Sequence, residues 1–190
     1  MGLNLFTLAE YKVYAGIVST TQDVQINTLI PKVSQLAKTI CARAFNDYVD
    51  DAKVEVYAGG TTKLVMSEYP LIALSSVEYS DDYGATYTPL IEFIDFVVDS
   101  EDGHITSVAP TGFPKKINGY KVTYTAGFDP IPEDLKVAVM DLLSYYLKND
   151  MAVKSQRNVG ANTVQIEYIT KNTLPSHISR VFDLYKSTVN

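Results

Sequence analysis

The sequence predicts an α+β protein in which about four helices form a bundle core that carries an inserted antiparallel β region and a late C-terminal strand. Three observations lead there. Apolar residues recur at three- and four-residue steps over 21–44 and again over 132–149, whereas from Val54 to Phe128 they alternate with polar or small residues. Between the alternating segments lie short Gly- and Asp-rich turns with no room for a helical crossover, so the pairing reads as antiparallel. The expected organisation is a core over 1–150, with helices at 7–15, 21–44 and 132–149 around a β-rich insertion at 54–128, and then a segment at 151–190.

The elements follow in order. Thr7 and Glu10 have the spacing of a capping box, which opens a short helix that Gly16 stops. In the next helix Leu29, Val33, Leu36, Ala37, Ile40 and Ala44 make an apolar stripe, with Lys32, Gln35, Lys38 and Arg43 beside it. Pro31 has no N–H for the Asn27 carbonyl, so a kink or a helix start is expected there. Val54 and Val56, Leu64 and Met66, Val77 and Tyr79, and Tyr120, Val122 and Tyr124 mark strands with one buried face. Ala58–Thr61, Asp81–Gly84 and Glu101–Gly103 supply turns, the last of them after a strand from Ile91 to Val98. Pro132, Glu133 and Asp134 start the clearest helix, where an absent N–H costs nothing and negative charge faces the positive end of the dipole. After a polar stretch, Val164, Ile166 and Tyr168 alternate as a late strand that either returns to the main sheet or pairs with another chain. Pro175 and Ser176 open a terminal helix with Ile178, Val181, Phe182 and Tyr185 on one side.

Composition excludes several classes. The 190 residues are 46% apolar and 20% charged, with one Cys, two His and no Trp, so a disulfide framework is excluded and the usual thiol and metal sites have little to be built from. Cys41 reads as a small core residue. No apolar run approaches a membrane span, and the first residues lack the pattern of a secretory signal. The net charge of −6 argues against a general nucleic-acid-binding surface. That charge is concentrated, because nine acidic and no basic residues lie between Lys63 and Lys115, leaving 16 basic and 13 acidic residues elsewhere.

Catalytic signatures are absent: there is no nucleophile elbow, phosphate loop, dinucleotide fingerprint or zinc-protease motif. No catalytic, metal or cofactor residue is assigned. His104 and His177 have no nucleophile or orienting partner in sequence and read as surface or capping residues. Asp99–Gly103 invites a calcium loop, but the Gly falls at position five and position twelve is Thr111, so it reads as a turn. Asp81 and Asp82 likewise read as solvated turn residues.

Specific residues carry a family resemblance from about Leu5 to Leu147. They are L-x-x-Y-K at Leu8–Lys12, Arg43-Ala44-Phe45, Tyr69-Pro70 leading to Ser76-Val77, Phe96–Asp99 and Gly103-His104-Ile105. The most specific piece is Val122-Thr123-Tyr124-Thr125-Ala126-Gly127-Phe128, followed by Pro132-Glu133-Asp134-Leu135. In order and spacing these resemble the head–tail connector (adaptor, or head-completion) proteins of tailed bacteriophages. The motifs specify a subunit fold rather than chemistry.

The resemblance implies a non-enzymatic virion protein, made in the host cytoplasm, that forms a ring of about twelve subunits under the portal, completes the head, joins it to a tail or neck protein and extends the DNA channel without binding DNA specifically. Arg157, Val164, Ile166, Tyr168, Phe182 and Tyr185 are the candidate contacts with portal or neighbour. Asp81, Asp82, Asp95, Asp99, Glu101 and Asp102 form a candidate acidic face, turned either to the channel or to an unlike face of the next subunit. The alternatives are another neck or tail-completion subunit such as a tail terminator, a small ligand- or carbohydrate-binding module using the Tyr-rich sheet, and a DNA-binding packaging accessory.

Overall fold

The computed structural model describes residues 2–149, 154–156, 165–167 and 174–187. Among them are α1 (Leu8–Ala15), α2 (Asp23–Cys41), β1 (Lys53–Tyr57), β2 (Lys63–Val65), β3 (Leu71–Tyr79), β4 (Thr88–Pro89), β5 (Phe96–Asp99), β6 (His104–Ser107), β7 (Tyr120–Ala126), α3 (Glu133–Asn149), β8 (Lys154–Gln156), β9 (Gln165–Glu167) and α4 (Ser176–Tyr185). All pairings between strands are antiparallel, so the α+β class expected from the sequence is the one observed. The chain divides into two compact units. One takes in 1–3, 38–132 and 185–190, the other 4–37 and 133–184.

The first unit is built on two sheets, one in the order β1-β7-β3-β4 and one in the order β2-β6-β5. β7 buries Tyr120, Val122, Tyr124 and Ala126 in strict alternation, as its sequence predicts. These side chains join Leu64, Met66, Val77, Phe96, Ile105 and Phe113 in one core. The expected succession of hairpins is corrected here. β1 pairs with β7 and β2 with β6, so Ala58–Thr61 connects two sheets instead of turning one hairpin. The turn at Glu101–Gly103 does join a hairpin, β5 to β6.

Two further expectations are corrected by packing. In β1 the half-buried residues are Lys53, Glu55 and Tyr57, while Val54 and Val56 are 56% and 48% exposed. Alternation fixes a period of two but not which set faces in. Here hydrogen bonds decide the phase: the Glu55 carboxylate accepts from the hydroxyls of Ser67, Tyr57 and Tyr124. Likewise Ile91–Asp95 is not strand. The Asp95 carboxylate accepts the Ile91 N–H at 2.8 Å, the Phe93 N–H donates to the Phe96 carbonyl at 2.7 Å, and a loop results before β5 begins at Phe96.

The second unit holds α1, most of α2 and α4, α3, β8 and β9. α1 has the expected capping box and ends at Gly16 in the left-handed conformation. α2 runs through Pro31 without restarting, since Asn27 is exposed and water can satisfy its freed carbonyl. Its buried seam is Ile26, Ile30, Val33, Ala37 and Cys41, one step aside from the expected stripe, so Leu29, Leu36 and Ile40 are half-buried flanks. Leu135, Val139, Leu142 and Leu143 of α3 and Ile178 and Phe182 of α4 are buried. Tyr11 and Ser144 share a hydroxyl hydrogen bond of 2.9 Å. β9 pairs with β8, which lies in the polar stretch that precedes it. The late strand therefore finds a partner within its own chain and outside the main sheet.

Candidate functional site

Several of the family-like motifs, scattered in sequence, meet in the first unit, while Leu8–Lys12 and Glu133–Leu135 lie in the second. Arg43, only 4% exposed, lays its guanidinium 3.8 Å from the centre of the Tyr69 ring, 5.3 Å from Phe128 and 5.5 Å from Phe45, and donates to the Tyr69 carbonyl. Tyr185 packs on Phe45 and Phe128, the three ring centres lying 5.9–6.4 Å apart. Gly127 donates its N–H to the Pro70 carbonyl at 2.9 Å, and Phe128 donates to the Phe45 carbonyl at 2.8 Å. Nearby, the Ser187 N–H donates to the Cys41 carbonyl at 2.8 Å. Desolvation pulls the Arg43 guanidinium below its ordinary value against the pull of Tyr69 and Glu68, and its Nε has no hydrogen-bond partner among the described residues. The rings form a cation–π cage around a buried charge. It organises backbone and offers no reacting group.

Beside the cage lies a polar cluster. Glu68 is 4% exposed and accepts the Ala44 N–H on both oxygens, at 2.9 and 3.1 Å. Lys53 stands 3.1 Å from Glu55 and 3.6 Å from Glu68. Burial raises the Glu68 carboxyl more than the Ala44 N–H, Lys53 and Arg43 lower it. Burial also pushes Glu55 upward, but Ser67, Tyr57, Lys53 and Tyr124 together hold it below its ordinary value. Every donor has an acceptor, which is the pattern of a structural network.

The acidic residues split by role. Asp82 fastens its turn, accepting from the Thr86 N–H at 2.8 Å, the Thr86 hydroxyl at 2.6 Å and the Ser80 hydroxyl at 2.8 Å. Those bonds pull its carboxyl down to about 2. Asp81 pairs with Lys116, and Glu78 of β3 pairs with Lys121 of β7, so two of the unit's lysines fold back on its acids. Asp95 holds the 91–95 loop, and Asp99 accepts the Asp102 N–H at 3.1 Å, while Glu101 is exposed. Asp99, Asp102 and His104 place ligand-type atoms within 4.8 Å of one another, but Lys63 Nζ lies 2.8 Å from His104 Nε2 and supplies a cation already. The first unit contains eight basic and fourteen acidic residues; the second contains eight of each.

Of the candidate contacts with portal or neighbour, Arg157, Val164 and Tyr168 lie outside the described residues, and Ile166 pairs with Ser155 across β8 and β9. Phe182 is fully buried, whereas Tyr185 is half-buried and packs on Phe45 and Phe128. Helical periodicity put them on one side of α4 correctly, and that side turns inward.

The sequence gives no sign of one exposed apolar cluster. In the 91–95 loop Ile91, Phe93 and Ile94 are 58%, 75% and 65% exposed, and Phe93 adopts φ 66°. Beside the loop, Leu90, Ile94, Phe113, Pro114, Tyr79 and Tyr120 line a cavity of about 320 Å³. Its aromatic floor is closely packed, with Tyr120 5.3 Å from Tyr79 and 5.0 Å from Phe113. In sequence it is an apolar run without clean alternation, which does not tell an exposed loop from a buried strand.

Comparison with known proteins places this architecture. The model of the head completion protein family matches residues 4–188, which extends the likeness through the late strand and α4. The chain is 26% identical over 187 residues to the head completion protein of Escherichia phage T5, covering 97% of this chain and 99% of that protein. Among solved structures, a chain from the neck of an empty gene transfer agent particle, computed with C6 symmetry, superposes with a TM-score of 0.61 at 15% identity, covering 96% of this chain and 90% of that one. A chain from the neck of the native particle, computed with C12 symmetry, gives 0.57 at 14% identity, covering 98% and 95%. At these identities the likeness is one of fold.

Proposed function

The chain belongs to the head completion protein family, and from that premise we propose that it closes the head after DNA packaging and joins it to the tail as a structural, non-enzymatic component of the head–tail interface. The end-to-end match carries this reading, because it spans both units and not a borrowed motif. The cage and the carboxylate network are consistent with it, since each is a fully packed structural device.

The finer reading is a ring that docks on the portal and continues the DNA channel. The fold is shared with chains of necks computed with C6 and C12 symmetry, which supports a cyclic arrangement. The net charge of the first unit would repel DNA phosphate if that unit faced the channel. We place the portal contact in the segment from about Ser155, with a tail or neck protein on the opposite side of the ring.

Negative-stain imaging of the purified protein, alone and with portal-bearing heads that lack tails, tests the assignment. A ring, free or on the heads, is expected. Persistent monomers in both conditions would refute it, and association with isolated tails alone would make the protein a tail-side subunit.

A further inference from the structure

The cavity beside the 91–95 loop lies within the first unit, and its volume of about 320 Å³ is at the small end of ligand-binding cavities. Tyr79 of β3 and Tyr120 of β7 are register partners, and Phe113 sets its ring edge-on to Tyr120, so three aromatic side chains make one wall. Tyr120 is 2% exposed, yet its hydroxyl has no hydrogen-bond partner among the described residues. Burial pushes its ionisation up to about 12, so it stays a neutral hydroxyl. A buried hydroxyl without a partner on a cavity wall is a polar group that a ligand can satisfy.

Asp95 narrows the chemistry of that ligand. Its Oδ2 accepts the Ile91 N–H at 2.8 Å, and its other oxygen has no partner among the described residues. A carboxylate only accepts, so the complementary group must donate. Among the described residues no basic side chain lines the cavity; Lys116, beyond Pro114, is committed to Asp81, and the stem of Lys115 lies against Gly60. The chain around it is acidic, with nine acidic and no basic residues between Lys63 and Lys115. Aromatic faces beside a carboxylate suit a cation, and a flat one best. The protein holds the same combination already filled, where Arg43 lies over Tyr69, Phe45 and Phe128 with Glu68 at hand.

We propose that this cavity receives an arginine side chain of a partner protein, with the guanidinium on the Tyr79–Tyr120–Phe113 wall and donating to Asp95 and to the Tyr120 hydroxyl. The mouth favours an arginine carried on a protein chain over a free small cation. Ile91, Phe93 and Ile94 of the bordering loop are 58%, 75% and 65% exposed, an apolar rim of the kind that keeps water from a polar anchor at protein interfaces. This contact differs from the one assigned above to the segment after Ser155, and it stands whether or not the subunits close a ring.

The test is an NMR titration of the full-length protein, observing tyrosine rings and carboxyl carbons, with a capped Leu-Arg-Leu peptide. Peptides with lysine or citrulline in place of arginine, and methylguanidinium alone, are the comparisons. Saturable shifts at Tyr79, Tyr120 and Asp95 are expected with the arginine peptide, weaker binding with lysine and none with citrulline. Asp95→Asn keeps an oxygen for the Ile91 N–H and Tyr120→Phe keeps the ring. Each should weaken binding at least about fivefold with an unchanged melting midpoint. No saturable shift up to about 50 mM peptide, or an equal response to the lysine or citrulline peptide, would overturn the proposal. Binding that neither substitution weakens would place the guanidinium elsewhere and overturn it too. Methylguanidinium binding as tightly as the peptide would overturn the partner-protein source in favour of a small free cation.

Discussion

Gly127 stands directly against the Phe45 carbonyl: a Cβ on Gly127 would fall far inside van der Waals contact of that oxygen, and its φ is 124°. Backbone, not side chain, occupies the space. Gly127→Ala should therefore destabilise the protein by about 3 kcal/mol or more, combining steric overlap with a conformation closed to side chains. Gly16→Ala is the control, because nothing lies within 4 Å of its added Cβ and only its φ of 66° opposes the change, a cost of about 1 kcal/mol. Urea unfolding of both variants measures the difference.

Arg43 is held by three rings and a carbonyl that lysine cannot engage in the same plane. Arg43→Lys should cost about 2 kcal/mol. Phe128→Leu in the same background should then cost less than it does alone, which a double-mutant cycle by chemical unfolding would reveal.

The two buried glutamates should respond oppositely to pH. Glu55 is held below its ordinary value of 4.5, so its contribution is present above that pH and is lost as pH falls through the lower folded value. Glu68 is held above 4.5, so ionising it opposes folding as pH rises from 4.5 through the raised value. Glu55→Gln should reduce stability at pH 7 and flatten the acid-side loss. Glu68→Gln should be better tolerated at pH 7 than at pH 4. Unfolding midpoints between pH 3 and 7 provide the check.

Asp82 should titrate near 2, chiefly because the Thr86 hydroxyl and N–H donate to it. Thr86→Val removes the hydroxyl and should move that titration up toward the ordinary aspartate value. Carboxyl-carbon NMR would follow it directly.

If the segment after Ser155 touches the portal, replacing residues 157–164 with a Gly/Ser linker should leave the melting midpoint unchanged and abolish binding to portal-bearing heads. Deleting everything from Ser155 is a poorer test. It would strip Ile178 and Phe182, both fully buried, from the second unit, and each such loss costs about 3 kcal/mol.

Much of this fold is legible where one local rule suffices. The strict alternation of Tyr120–Ala126, the capping box at Thr7 and Glu10 and the start of α3 behind Pro132 all appear as the sequence predicts. What escapes is set by partners distant in the chain. The phase of β1 depends on Glu55 meeting Ser67 and Tyr124, and no periodicity encodes that meeting. An apolar run at Ile91–Ile94 reads as strand until the Asp95 side chain captures the Ile91 N–H. Of the site, the motif residues were visible in order, but their convergence on Arg43 was not. Each of the three rings comes from a different stretch of sequence, and a fourth ring, Tyr185 at the end of α4, packs on two of them.

That last ring bears on when the packing of the protein is completed. Phe45, Tyr69 and Phe128 leave the ribosome long before Tyr185, and the Cys41 carbonyl waits equally long for the Ser187 N–H. A nascent chain can thus form its sheets and the three rings over Arg43 early, yet Phe45 and Phe128 lack the ring that packs on them until translation has passed α4. Vectorial synthesis gives a built-in order in which the β region comes first and the closing contact last.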